Sequence, residues 1–135
     1  MEDEKTQEKI YRLNVMRNQL AEIQKQLATI DQLLKENAAT AIALDGLSSM
    51  KDETLIGLGS GTFAKAKATQ DSKVLIDIGS GIIAEKTVAE AKKILAERKA
   101  NMEKAFAETR QYYEAGAAQL QQLGQEIEAE HGHRH

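Results

Sequence analysis

From Leu13 to Leu44 the chain keeps one spacing. Apolar or small side chains fall at Leu13, Met16, Leu20, Ile23, Leu27, Ile30 and Leu34, and then at Asn37, Ala41 and Leu44. Steps that alternate three and four over more than four heptads define a coiled-coil seam. No proline occurs in the 135 residues, and a helix-interior proline would cost about 3 kcal/mol. Residues 1–50 are therefore expected to form one long helix. Its flanking positions carry Gln, Glu, Lys and Asn, so the apolar stripe is narrow and suits a two-helix contact better than a globular core. Asn37 breaks the stripe. It either fixes the register of the pair, as a polar seam residue can, or marks a discontinuity near the helix end.

A second helix is expected over 87–130. Thr87 followed by Glu90 has the spacing of a capping box, with Thr87 as N-cap. Its apolar face runs through Val88, Ala91, Leu95 and Met102, then Phe106, Thr109, Tyr113, Gly116, Leu120, Leu123 and Ile127. Between Leu95 and Phe106 the spacing slips and Arg98 falls on the seam, which should alter the supercoil locally. Gly116 and Gly124 each cost about 1 kcal/mol relative to alanine, so the distal half is expected to be the more mobile. Two helices of about 45 residues, each about 65–70 Å long, joined by a short middle segment, imply an antiparallel hairpin with both chain ends at one tip.

Between the helices, residues 51–86 change character. Five of the nine glycines lie between positions 57 and 81, among β-formers at Leu55-Ile56, Thr62-Phe63, Val74-Leu75-Ile76 and Ile82-Ile83. Gly59-Ser60-Gly61, Gln70-Asp71-Ser72 and Gly79-Ser80-Gly81 are turn material. Four short strands follow, at 54–58, 62–68, 73–78 and 81–86. Residues 58–67 repeat as residues 78–87, a 20-residue offset that calls for two similar hairpins. An isolated hairpin is marginal in water, so these strands need other subunits, and their open edges invite them. The fold class is α+β: a long antiparallel two-helix coiled coil with two central β-hairpins. The whole chain reads as one domain, with a flexible tail at 131–135.

Composition excludes several functions. The net charge of −3 is spread evenly, with six basic against eight acidic residues in 1–50, five against five in 51–86, and seven against eight in 87–135. No basic stripe is present to displace counterions from phosphates, so no nucleic-acid binding is expected. Zero cysteines exclude disulfides and thiolate chemistry. No run reaches the ~18 apolar residues of a membrane span, and the opening Met-Glu-Asp-Glu is unlike a signal peptide. No membrane association is expected.

Two motifs suggest cofactor chemistry. Val74 to Gly81 looks like the glycine-rich first motif of class I methyltransferases, but the third glycine is replaced by Ile83 and a strand-like run follows where a helix N-terminus is needed. A tight hairpin turn accounts for Gly79-Ser80-Gly81 more simply. Gly59-Ser60-Gly61 lacks the Gly-Lys-Ser/Thr of a phosphate loop. All three histidines, His131, His133 and His135, lie in the last five residues; alternating imidazoles bind zinc or nickel weakly, and a loose polar tail is the simpler account. No catalytic set, cofactor site or metal site is expected, and the chain is read as no enzyme.

A long helix, two consecutive hairpins carrying L-x-x-L-G-S-G and V-L-I-D-I-G-S-G-x-x-x-E-K-T, and a second long helix resemble prefoldin of the alpha class. The resemblance covers nearly the whole chain and is most specific over Leu55–Leu95. Beta-class subunits carry one hairpin, so two hairpins favour alpha. Gly57 departs from the proline expected in the family's L-V-P-L-G stretch, a change in strand geometry at an edge. The resemblance implies a cytoplasmic hexamer of two alpha-class and four beta-class subunits, with hairpins closing into a β-barrel body. It implies an ATP-independent chaperone that captures unfolded proteins between coiled-coil tips and passes them to a group II chaperonin. Client contact is expected at Ile10, Tyr11, Leu13, Val15, Met16, Leu120, Leu123 and Ile127, since Ile10, Tyr11 and Val15 cannot all face the seam and exposed apolar area marks binding sites. Assembly is expected to rest on Leu55, Ile56, Leu58, Phe63, Val74, Leu75, Ile76, Ile78, Ile82 and Ile83. Two rivals are a self-assembling, filament-forming prefoldin paralogue and an enzyme binding S-adenosylmethionine at Asp77–Gly81.

Overall fold

A computed structural model describes residues 2–49, 53–67 and 73–132. Helix α1 spans Glu2–Ser48 and helix α2 spans Val88–Gly132. Between them lie strands β1 (Thr54–Gly59), β2 (Thr62–Ala66), β3 (Lys73–Gly79) and β4 (Ile82–Thr87). Each expected element is present, with ends shifted by one or two residues. The expected turn at Gln70-Asp71-Ser72, and His133 and His135 of the histidine tail, lie outside the described residues. The chain divides into two compact units, one from the described parts of Met1–Leu33 and Met102–His135 and one from Leu34–Asn101.

In the first unit the helices run antiparallel. Gln24 on α1 donates to the Tyr113 hydroxyl on α2 at 2.8 Å, and Thr6 donates to Glu130 at 2.9 Å, so one residue number rises as the other falls. Leu20, Leu123 and Ile127 are buried, and Leu13, Met16, Ile23, Leu27, Ile30, Phe106, Thr109, Tyr113 and Leu120 are half-buried. These are the positions of the alternating step. Gly116 has a packing reason as well as a propensity cost: a Cβ there would lie 2.8 Å from Cδ2 of the buried Leu20. Gly124 meets nothing within 4 Å.

The second unit holds the hairpins and their seat. Leu44, Ala91 and Leu95 form its core, and Ala41, Val74, Ile76 and Val88 pack against it. Ala91 is 1% exposed, the lowest value in that core. Asn37 is half-buried and bonds across the pair: its amide donates to the Leu95 carbonyl at 3.2 Å. Lys92 pairs with Asp45 beside it. The slip in α2 is real, with Arg98, Met102 and Phe106 all half-buried two steps of four apart, and the Arg98 guanidinium donates to the Asp77 carbonyl.

Both hairpins are antiparallel and form separate two-stranded sheets. Ser60 and Gly61 have φ of 50° and 71°, and Ser80 and Gly81 have 52° and 78°. Positive φ at both central positions is the type I′ hairpin turn, whose twist matches that of the strands. Each register shifts once, between Gly57 and Gly59 and between Asp77 and Gly79, so Leu58 and Ile78 are the extra residues of matching bulges. The Gly79 N–H donates to the Asp77 carboxylate at 2.7 Å, which closes the turn that had resembled a cofactor loop. Thr87 ends β4 and caps α2: the Glu90 N–H donates to its hydroxyl oxygen at 3.1 Å, and that hydroxyl donates to the Glu90 carboxylate.

Candidate functional site at the helix ends and hairpins

The outer turns of the first unit combine a polar seam with exposed apolar side chains. Continuing the three–four step back from Leu13 reaches Lys9 and Thr6, and continuing forward from Ile127 reaches Glu130. Thr6 is 6% exposed. The Lys9 ammonium pairs with Glu130 and lies 3.8 Å from Glu126. Its hydrogen bond to Glu130 holds Lys9 above the usual lysine range. Coiled-coil geometry therefore extends to these turns, where hydrogen bonds and charge lie next to the buried Ile127. The expected site list omitted all four residues. The three–four step, continued, reaches Thr6, Lys9 and Glu130, but through polar residues that each read as solvated surface.

Of the eight residues expected to meet clients, the structure divides the set by seam position. Leu123 and Ile127 are buried, at 7% and 8% exposure, and Leu13, Val15, Met16 and Leu120 are half-buried. Ile10 and Tyr11 stand off the seam at 38% and 71%. Tyr112, which the sequence reading did not single out, is equally exposed on α2.

Strand residues also fall on two faces. Cross-strand partners share a face, so Val74 and Lys86 with Ile76 and Ala84 form one side of the second hairpin, and Leu75 and Glu85 with Asp77 and Ile83 form the other. Val74 and Ile76 meet the Leu44–Ala91–Leu95 core. Leu75, Ile78, Ile82 and Ile83 are exposed, as are Leu55, Ile56, Leu58 and Phe63 on the first hairpin. Eight large apolar side chains on two small sheets exceed the scattered exposure usual on a lone domain.

Among the described residues no group of three or more His, Cys, Asp or Glu is placed to hold a metal ion. No described helix is long and apolar enough to cross a membrane.

A long antiparallel helix pair joined through two I′ hairpins is the architecture of a coiled-coil assembly subunit. The family model for "Prefoldin subunit" matches residues 16–132, and the chain belongs to the prefoldin family, with alpha-type features. Membership places it among chaperone-type proteins of a non-enzymatic family. Over 73 residues, 54% of the chain, it is 32% identical to prefoldin subunit alpha of Methanococcus maripaludis. That match spans half the length of the curated relative. A cryo-EM structure of filamentous PFD from Methanocaldococcus jannaschii is similar in fold, with a TM-score of 0.53 at 21% identity, covering 92% of this chain and 98% of that one.

Proposed function

We propose that this chain is an alpha-class subunit of an ATP-independent chaperone that captures unfolded proteins at its helix ends and hands them to a group II chaperonin. The observation that supports it best is Ile10 and Tyr11, large apolar side chains left in solvent beside a seam that has turned polar. Lys9, Thr6 and Glu130 add hydrogen bonds and charge to the helix contact there. The apolar groups nearby are then free for a client, and Leu13, Val15, Met16, Leu120, Leu123 and Ile127 join them where the seam opens. Contacts from several subunits, each weak, gain strength through effective concentration. The assembly has two copies of this chain with four beta-class subunits, joined through the exposed hairpin residues, in the cytoplasm. The chain carries out no catalysis and needs no cofactor.

Deleting residues 1–12 and 124–135 should abolish suppression of client aggregation and leave the assembly's mass, less the deleted residues, intact. Full suppression by the doubly truncated subunit would sink the client-binding assignment. A second reading is supported by the description of the structural relative as filamentous: the chain self-assembles into a polymer with a structural role. Light scattering separates the two. A discrete particle near six chains, formed only with a beta-class partner, supports the chaperone, and a long polymer of the lone chain supports the filament.

A further inference from the structure

The chain's net charge is gathered in one place. Residues 1–12 and 124–135 together hold seven acidic and four basic side chains, and residues 13–123 hold fourteen of each. The whole net charge of −3 therefore belongs to the two terminal stretches, which the antiparallel helices bring to one end of the first unit. Fields between exposed charges fade over about 8–10 Å in physiological salt, so this charge is felt at the helix ends and not along the neutral remainder. On α1 it meets exposed apolar side chains. Glu4, Glu8 and Tyr11 follow one another at steps of four and three, which sets them on one face of the helix. With Gln7 and Arg12 they line a shallow groove. Two carboxylates against one guanidinium leave it acidic, and neither carboxylate has an ion pair among the described residues. Lys9 does not neutralise them, because it is held by Glu130 and lies near Glu126 on the other helix. The Tyr11 ring is largely in solvent, and Ile10 beside it is also exposed.

We infer that this groove selects, among unfolded chains, segments in which lysine or arginine stands beside apolar residues. Such a side chain can lay its aliphatic stem on Tyr11 and Ile10 while its charged head reaches Glu4 and Glu8. A cation over a tyrosine face gains about 0.5–1 kcal/mol at an exposed site, and an exposed ion pair adds up to about 1 kcal/mol. An acidic segment meets the same charge as repulsion. A segment apolar throughout finds Ile10 and Tyr11, but it strips water from the two carboxylates and gives them no partner. Charge complementarity thus sorts segments that apolar contact alone would treat alike. The inference rests on the reading of the helix ends as client-binding and specifies which unfolded segments they hold.

The test uses the full chain at low ionic strength and labelled peptides followed by fluorescence anisotropy. Three peptides share one alternating leucine–serine core and are flanked by lysines, by serines or by glutamates; a fourth keeps the lysines around an all-serine core. The lysine-flanked apolar peptide should bind about fivefold tighter than the serine-flanked one, as two exposed ion pairs predict, and the glutamate-flanked one should bind weakest. The advantage should vanish near about 1 M salt, where screening acts within about 3 Å. The double exchange E4Q/E8Q should bring the lysine-flanked peptide down to the serine-flanked affinity. Tyr11→Ser should weaken both, with helix content checked by circular dichroism. Equal binding of the three apolar peptides would overturn the selection and leave client capture at the helix ends standing. Failure of every peptide to bind would overturn both. A lysine advantage that survives E4Q/E8Q with the helices intact removes the groove from the account and overturns the inference. Equal binding of the peptide without leucines overturns it too, since charge alone would then suffice.

Discussion

The first hairpin and the second share a turn, a bulge and a register, but they are fixed to the molecule differently. Val74 and Ile76 of the second insert into the core of Leu44, Ala91 and Leu95, and Arg98 bonds the backbone at its bulge. The equivalent residues of the first are Thr54 and Ile56, and Ile56 remains 48% exposed. At the bulge, Asp77 accepts a bond from Gly79 where the first hairpin has Gly57 with no side chain to do so. Local chemistry thus sets hairpin geometry, whereas one or two apolar side chains on the inner face decide whether the hairpin is anchored. A repeated motif can thus pack the inner face of one copy while the matching isoleucine of its twin stays exposed.

Four substitutions would break or sharpen that contrast. The largest effect is expected from Leu95→Ala, which empties part of the shared core and should destabilise the chain by about 3 kcal/mol. Amide exchange should accelerate in β3–β4 far more than in β1–β2, and equal acceleration in both would erase the distinction. Next, Ile76→Ala should cost about 1–2 kcal/mol because the side chain is partly buried, and Ile56→Ala should cost under about 0.5 kcal/mol in the isolated chain, as surface changes do. Denaturant midpoints measure both, and the contrast fails if Ile56→Ala is the costlier. The smallest effect belongs to Asp77→Ala, about 0.5–1 kcal/mol for one exposed hydrogen bond. It should make the second bulge exchange like the first, which nuclear magnetic resonance of the Gly79 amide would show.

The helices were the most legible part of the sequence because a three–four step has one structural meaning, and Leu13 to Leu44 keep it without exception. The hairpins were legible from the repeated Gly-Ser-Gly, since residues that tolerate positive φ are few. The face of β3 was not legible. Val74, Leu75 and Ile76 are all apolar, and alternation carries no information when every position qualifies; the choice was made by Leu44 and Leu95, distant in sequence. At the helix ends, Ile10 and Tyr11 could be placed off the seam by spacing alone. Lys9 and Glu130 could not be recognised as seam partners, because each by itself looks like an ordinary solvated charge. Only their meeting across 121 positions of sequence gives them a structural role.

That separation bears on how the chain is made. The hairpins close over two-residue loops and can form within about ten microseconds, as soon as their strands are free of the ribosome. The seam between α1 and α2 joins residues up to 124 positions apart. At a synthesis rate of about 5–20 residues per second, the stripe from Leu13 to Leu27 waits roughly 5–20 s for its partner helix. During that interval a nascent copy shows the bare apolar stripe of an unfinished polypeptide.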